Sequence, residues 1–184
     1  YQSAEGQQET CWTTSWGVST RMMGGLIMCH GDDKGLVVPP RLASHQVVVL
    51  VIKDEEGVGD AARALVDEIQ GAGIRVKLDD RTDTSFGRRA TAWELKGVPV
   101  RVEVGPRDLV NGEVTVVRRD TGEKTQVGIA GLAAHLPAML DGMQADLLAA
   151  ATVRRDARTV TVSTVDEARE AAQTGFARIP WATL

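Results

Sequence analysis

Cysteine is almost missing from this chain. Cys11 and Cys29 are the only two. They are too few and too isolated for a disulfide framework or a CxxC metal site, and reduced thiols in a cytoplasmic protein are the simplest account. The three histidines, His30, His45 and His135, likewise have no ligand spacing. No apolar run approaches the ~18 residues of a membrane helix, which excludes such a span. What is present is ordinary for a globular chain: 43% hydrophobic and 25% charged residues in a length of 184. That composition excludes disordered and collagen-like classes, and the length suffices for one full domain with parts of others. The opening at Tyr1 without methionine and the end just after Pro180-Trp181 read as a piece of a longer protein.

Past the polar Tyr1 to Thr10, the aromatic and β-branched content of Cys11 to Trp16 predicts a strand, ended by Gly17. Ser19 is a natural N-cap, and Met22, Met23, Leu26 and Ile27 recur at helical spacing until Gly31. Two features of this helix resist a purely structural reading. Gly24 and Gly25 lie in its interior, where each costs about 1 kcal/mol relative to alanine, so close packing against a neighbouring sheet is expected. Arg21 lies in the first turn, where the helix macrodipole disfavours a cation by roughly 0.3–1 kcal/mol. A residue held against its local preference is a reason to look for a ligand, although an arginine extending into water fits equally well. Gly31 to Gly35 is a turn whose adjacent acids, Asp32 and Asp33, read as solvated, and no metal is placed there.

Pro39-Pro40 suits a stiff interdomain connector and puts a boundary near residue 40. The run QVVVLVI, Gln46 to Ile52, fits a strand buried on both faces of a parallel sheet. A helix follows from Asp60 until Gly71 and Gly73, then a strand over Ile74 to Leu78, a helix over Phe86 to Leu95, and a strand over Val98 to Val104. Glu113 to Arg118 and Lys124 to Val127 form a hairpin through Asp120 to Glu123. This order predicts a mixed, mostly parallel sheet with helices on its faces, closed by a long amphipathic helix from Ile129 to Leu147 in which Pro137 is a candidate kink. TVTVS, Thr159 to Ser163, alternates as a strand, and Val165 to Gln173 is helical.

Charge is uneven. The whole chain carries −4, whereas Arg75 to Arg107 holds eight Lys/Arg against five Asp/Glu, a local +3. A basic stripe with an aromatic in it suits a nucleic-acid backbone and an unstacked base, although solvated helix faces are commoner. Trp93 is read as core.

Two stretches carry a resemblance. TSWGVSTRMMGGLIMCHGDDKGLVVPP, Thr14 to Pro40, closely resembles the third signature motif of class II aminoacyl-tRNA synthetases, in the form found in prolyl-tRNA synthetases of the archaeal and eukaryotic type. WELKGVPVRVEVGPRD, Trp93 to Asp108, resembles the anticodon-binding domain of the same enzymes. The resemblance runs through most of the chain and weakens after Leu148. It implies the end of a class II antiparallel catalytic sheet over 1–40, a mixed-sheet α/β anticodon-binding domain over 41–150, and the start of a small α+β C-terminal domain over 151–184. The implied activity is ATP-dependent activation of L-proline, with Mg²⁺ accompanying the ATP, and transfer of the prolyl group to tRNA(Pro), by a homodimer in the cytoplasm.

The implied site residues are specific. Arg21, with Thr20, faces ATP, where a guanidinium can stack on adenine and reach a phosphate oxygen. Ser15, Trp16 and Gly17 border the proline pocket, the indole recognising a small apolar ring by contact. Glu94, Lys96 and Arg101 read the two guanines shared by proline anticodons, and Arg88 or Arg89 meets phosphate. Many relatives place a zinc-binding cysteine after the Pro-aromatic pair, but here Ala182 follows Trp181, and a methyl group cannot ligate zinc. No zinc is therefore predicted. The alternative is a non-catalytic tRNA-binding module of the same descent, and a third class is a structural or dimerisation fragment.

Overall fold

The computed structural model describes residues 1–183. In chain order the elements begin with helix α1 (Arg21–His30) and a short antiparallel hairpin, β1 (Gly31–Asp32) and β2 (Gly35–Leu36). Strand β3 (Val47–Val51), helix α2 (Val58–Gly71), strand β4 (Val76–Asp79), helix α3 (Phe86–Leu95) and strand β5 (Val100–Val104) form the α/β core. Helix α4 (Pro106–Asn111), strands β6 (Glu113–Arg118) and β7 (Lys124–Gly128) and helix α5 (Leu132–Ala157) complete it. A small unit follows, in which β8 (Thr159–Thr161) and β9 (Phe176–Arg178) pair in parallel around helix α6 (Val165–Ala171). Thr164 caps α6, its hydroxyl accepting from the Glu167 amide at 3.3 Å while the Glu167 carboxylate accepts from the Thr164 amide at 3.2 Å.

The central sheet has the order β4-β3-β5-β6-β7. Strand β3 pairs in parallel with β4 and β5, while β5–β6 and β6–β7 are antiparallel, so the sheet is mixed and evenly divided between the two pairings rather than mostly parallel. Alternation along the strands sorts the apolar residues to two faces. Val47, Val49 and Val51 pack with Val100, Val102 and Val104 beneath α2 and α5, where Ile69, Leu136, Leu140 and Met143 close the core. Val48 and Leu50 point the other way, onto Ala90 and Trp93 of α3. Every residue of β3 is therefore sealed from solvent, as its unbroken apolar run predicts. Each such side chain contributes about 1.5–3 kcal/mol relative to exposure.

Several expectations change. Residues 11–19 adopt no regular structure and are exposed, instead of forming a strand over Cys11 to Trp16. A strand needs a neighbour for its backbone groups, and no described strand pairs with this stretch. The N-cap of α1 is Thr20 rather than Ser19, although the Ser19 hydroxyl accepts from the Arg21 amide at 3.3 Å. Helix α1 has no buried residue, and a Cβ at Gly24 or Gly25 would meet nothing within 4 Å, so these glycines are not packed against a sheet. Helix α4 lies in a stretch with no periodic signal. It starts on Pro106, whose fixed φ suits the first turn, and the Asp108 carboxylate accepts from the Gly105 amide at 3.0 Å. Helix α5 continues through Pro137 as one element.

The connector after β2 is not a free linker. Pro39 and Pro40 are buried. The Arg75 guanidinium donates to the carbonyls of Ala43 at 2.9 Å and Pro40 at 3.1 Å, fixing the path of the chain into β3. No described helix is long and apolar enough to cross a membrane.

Candidate nucleic-acid interface

The sheet register determines what the α3 face presents. Residues paired across strands share a face, so Lys77, Val48, Arg101, Val117 and Lys124 line up in one row, and Asp79, Leu50, Glu103, Thr115 and Gln126 in the next. Helix α3 covers Val48 and Leu50. Toward β7 the rows become polar, and Lys124 and Gln126 reach solvent. Between the C-terminal end of α3, the β1–β2 hairpin and this uncovered part of the sheet lies a cavity of about 210 Å³, lined among others by Lys34, Trp93, Glu94, Arg101, Arg119 and Lys124.

One wall is built on a buried network. Trp93 Nε1 donates to Asp79 Oδ2 at 2.6 Å. Arg81 donates to the same carboxylate through Nε at 3.0 Å and Nη2 at 2.7 Å. Burial alone would raise the Asp79 pKa, but the bonds from Arg81 and Trp93 outweigh it and hold the carboxyl well below the usual carboxylate range. Arg89 lies beneath and is 1% exposed, with Nη2 donating to the Val51 carbonyl at 2.7 Å, Nε to the Thr84 carbonyl at 3.0 Å and Nη1 to the Asp79 carbonyl at 3.1 Å. Of the two arginines expected to meet phosphate, Arg89 is thus a structural cation with no free donor face toward RNA. Arg88 is exposed and forms no ion pair among the described residues. The sequence does carry a signal for this: Phe86, Arg89, Ala90 and Trp93 share one helical stripe, which puts Arg89 on the core side.

The cations around the cavity divide by commitment. Arg101 Nε donates to Glu103 at 2.8 Å, which leaves its terminal N–H groups for a ligand. Arg118 is bound to Asp120 at 2.7 Å and Asp146 at 2.9 Å, tying the β6–β7 turn to α5. Arg119, buried, grips both oxygens of Asp32 at 2.6 and 2.9 Å and donates through Nε to the Glu94 carbonyl at 3.2 Å. The Arg119 hydrogen bonds hold the Asp32 carboxyl at about 2, so this exposed acid also anchors the hairpin. Lys34, Glu94 and Lys124 form no ion pair among the described residues. The groups left over at the cavity are one carboxylate, two lysines and the terminal N–H groups of Arg101. Lys34 lies in the β1–β2 turn, where no periodicity places it, and Lys124 opens β7, where only the pairing with Val117 brings it to the cavity.

Lys96 stands apart from this cavity. Its ammonium lies 4.5 Å from the centre of the Trp93 ring, a cation–π contact. It lines a neighbouring groove with Met23, Leu26, Leu36 and His45. Trp93 therefore separates Lys96 from Glu94 and Arg101 and is core, as expected. Ser15, Trp16, Gly17, Thr20 and Arg21 are all exposed, and a Cβ at Gly17 would meet nothing within 4 Å. Among the described residues, no group of three or more His, Cys, Asp or Glu could hold a metal ion.

A proline–tRNA ligase of Frankia casuarinae is 59% identical over 178 residues, 97% of this chain and 38% of its own length. Proline–tRNA ligase 2 of Streptomyces avermitilis is 60% identical over 185 residues, 100% of this chain and 39% of its own. A proline–tRNA ligase of Chlorobium phaeobacteroides is 44% identical over 184 residues, 98% of this chain and 38% of its own. The chain thus spans less than two fifths of the length of these relatives. Residues 46–139, which hold the central sheet, α2, α3 and the start of α5, match the Anticodon binding domain family, and the chain belongs to that family.

Proposed function

We propose that this chain is the part of a proline–tRNA ligase that reads the anticodon of tRNA(Pro) and contributes the third signature motif to the catalytic domain. The ligase is of class II and of the archaeal and eukaryotic type. It activates L-proline with ATP to prolyl-adenylate and passes the prolyl group to the 3′ end of tRNA(Pro). In this reading 1–40 belongs to the catalytic domain, 41–150 is the anticodon-binding domain and 151–184 begins a C-terminal domain. Arg21 and Thr20 serve ATP, and Ser15, Trp16 and Gly17 serve proline. No zinc is assigned, because Ala182 offers no ligand.

The observation that carries the reading is the uncommitted Glu94 carboxylate beside the cavity between α3 and the open sheet. Guanine presents N1–H and N2–H₂ donors that suit a carboxylate, and O6 and N7 acceptors that suit lysine or the terminal N–H groups of Arg101. Lys96, across Trp93, serves the same anticodon from the adjoining groove, and Arg88 supplies a sequence-blind phosphate contact.

The test is binding of the full chain to proline tRNA and to a version with its two anticodon guanines replaced. Proline tRNA should bind more tightly by about 1–3 kcal/mol per guanine, and Glu94→Ala should remove most of the difference. Equal affinity of the unaltered chain for both RNAs would rule out base reading. The alternative reading is a non-catalytic tRNA-binding module of the same descent. Proline-dependent ATP–pyrophosphate exchange by the intact parent protein separates the two.

A further inference from the structure

We propose that Lys34, in the turn between β1 and β2, is a phosphate-binding residue of the tRNA site, delivered from outside the span that the anticodon-binding family covers. The inference rests on the tRNA reading above. Lys34 borders the 210 Å³ cavity together with Glu94 and Arg101. It also borders an adjoining cavity of about 270 Å³ together with Asp33, Glu94 and Gly122. It thus lies at the rim between the two, exposed, and no described acidic side chain pairs with it.

Its position is built rather than incidental. The Lys34 amide donates to Asp32 Oδ1 at 2.8 Å, and Asp32 is the residue that Arg119 grips through two nitrogens. The same Arg119 donates to the Glu94 carbonyl, so one buried guanidinium fixes the turn and the end of α3 together. The hairpin also lies against that helix end with no space between them. A Cβ at Gly35, where φ is +128°, would come within 2.5 Å of Leu95 Cα, and one at Gly97, where φ is +73°, within 2.6 Å of the Leu36 backbone. A turn held this closely keeps the Lys34 backbone at the rim of the cavity, within reach for its side chain.

A lysine at an exposed rim is a strongly hydrated point charge on a flexible stem, suited to a phosphate oxygen rather than to the planar recognition of a base edge. Glu94 and Arg101, closer to the sheet, hold the base-reading chemistry. Lys34 therefore adds affinity that is blind to sequence and sensitive to salt.

The experiment follows binding of the full chain to proline tRNA, and to the version lacking the two anticodon guanines, across a series of salt concentrations. Lys34→Ala should weaken both complexes to the same extent and lower the slope of log affinity against log salt by about 0.7, the value for one phosphate contact on a single strand. Lys34→Arg should keep the slope. Asp32→Asn, which loosens the turn, should reproduce the Lys34→Ala loss while the preference for guanine persists. An unchanged slope in Lys34→Ala, beside an intact guanine preference in the unaltered chain, would overturn the Lys34 assignment alone. A loss confined to the guanine-bearing tRNA would make Lys34 a base reader and overturn its phosphate role. A reduced slope in a chain that never preferred guanine would instead uphold Lys34 and sink the base-reading proposal.

Discussion

The valines of β3 are closed off on both faces, whereas Met22, Met23 and Ile27, which carry the helical spacing of α1, are exposed. Both stretches carry a clear apolar pattern. The difference lies in what the neighbouring sequence supplies. Strand β3 is followed directly by α2, β4, α3 and β5, each of which returns to cover one of its faces or edges. Helix α1 is preceded by a stretch without regular structure and followed by a two-strand hairpin, and among the described residues no element covers Met22, Met23, Ile27 and Met28, which stay more than half exposed. Periodicity specifies which element forms. Burial also requires a partner of matching shape.

The sharpest way to break this contrast is to strike the buried polar network beneath α3. Asp79→Ala removes the carboxylate that receives Trp93 and Arg81 and faces Arg89. It leaves a buried cation uncompensated, and a loss of about 3–5 kcal/mol is expected in urea unfolding. A loss near zero would show that Arg89 is satisfied by its three backbone carbonyls alone.

A paired measurement sharpens the comparison itself. Leu136→Ala in the fully buried face of α5 should cost about 2–5 kcal/mol, because the cavity left behind relaxes only in part. Met22→Ala in α1 should stay within about 0.5 kcal/mol, since that side chain is exposed. Similar losses at both sites would mean that α1 has a packed partner in solution.

The smallest expected effect links the two regions through acid. Asp32 is held at about 2 against an ordinary 3.8, chiefly by its hydrogen bonds from Arg119. A depressed carboxylate stabilises the folded state above its unfolded pKa, so this contribution is complete above about pH 4 and disappears as pH falls through 2. Asp32 is 44% exposed, which keeps the effect modest. Acid titration of stability should be steeper between these limits in the unaltered chain than in Asp32→Asn. Identical curves would place the clamp outside the folding equilibrium.

Much of the fold was legible along the chain, because its signals are local. The β-branched run at Val47 to Val51, the helical spacing from Ala61 to Ile69 and the hairpin signal at Asp120 to Glu123 each depend on residues within one or two turns of one another. Helix α4 was not legible, since six residues opening on Gly105-Pro106 show no period, and their start depends on the Asp108 carboxylate folding back on the chain. The strand expected at Cys11 to Trp16 failed for the opposite reason, since strand propensity without a paired neighbour leaves the backbone to water.

The candidate site divides along the same line. The sequence alone placed Glu94, Lys96 and Arg88 on or beside the second core helix, Arg101 on the strand after it, and the net positive charge in that region. Side-chain periods of 3.6 and 2 are properties of the local backbone, so these positions could be read directly. Which of these groups remain free was decided only by tertiary structure. Arg89 disappears beneath α3, Lys96 turns onto Trp93, and Lys34 arrives from a hairpin 60 residues before Glu94. A charge is spent or left over according to what lies across the fold from it, and that pairing is set by sheet register and by the clamp of Arg119 on Asp32, through contacts between residues far apart in the chain.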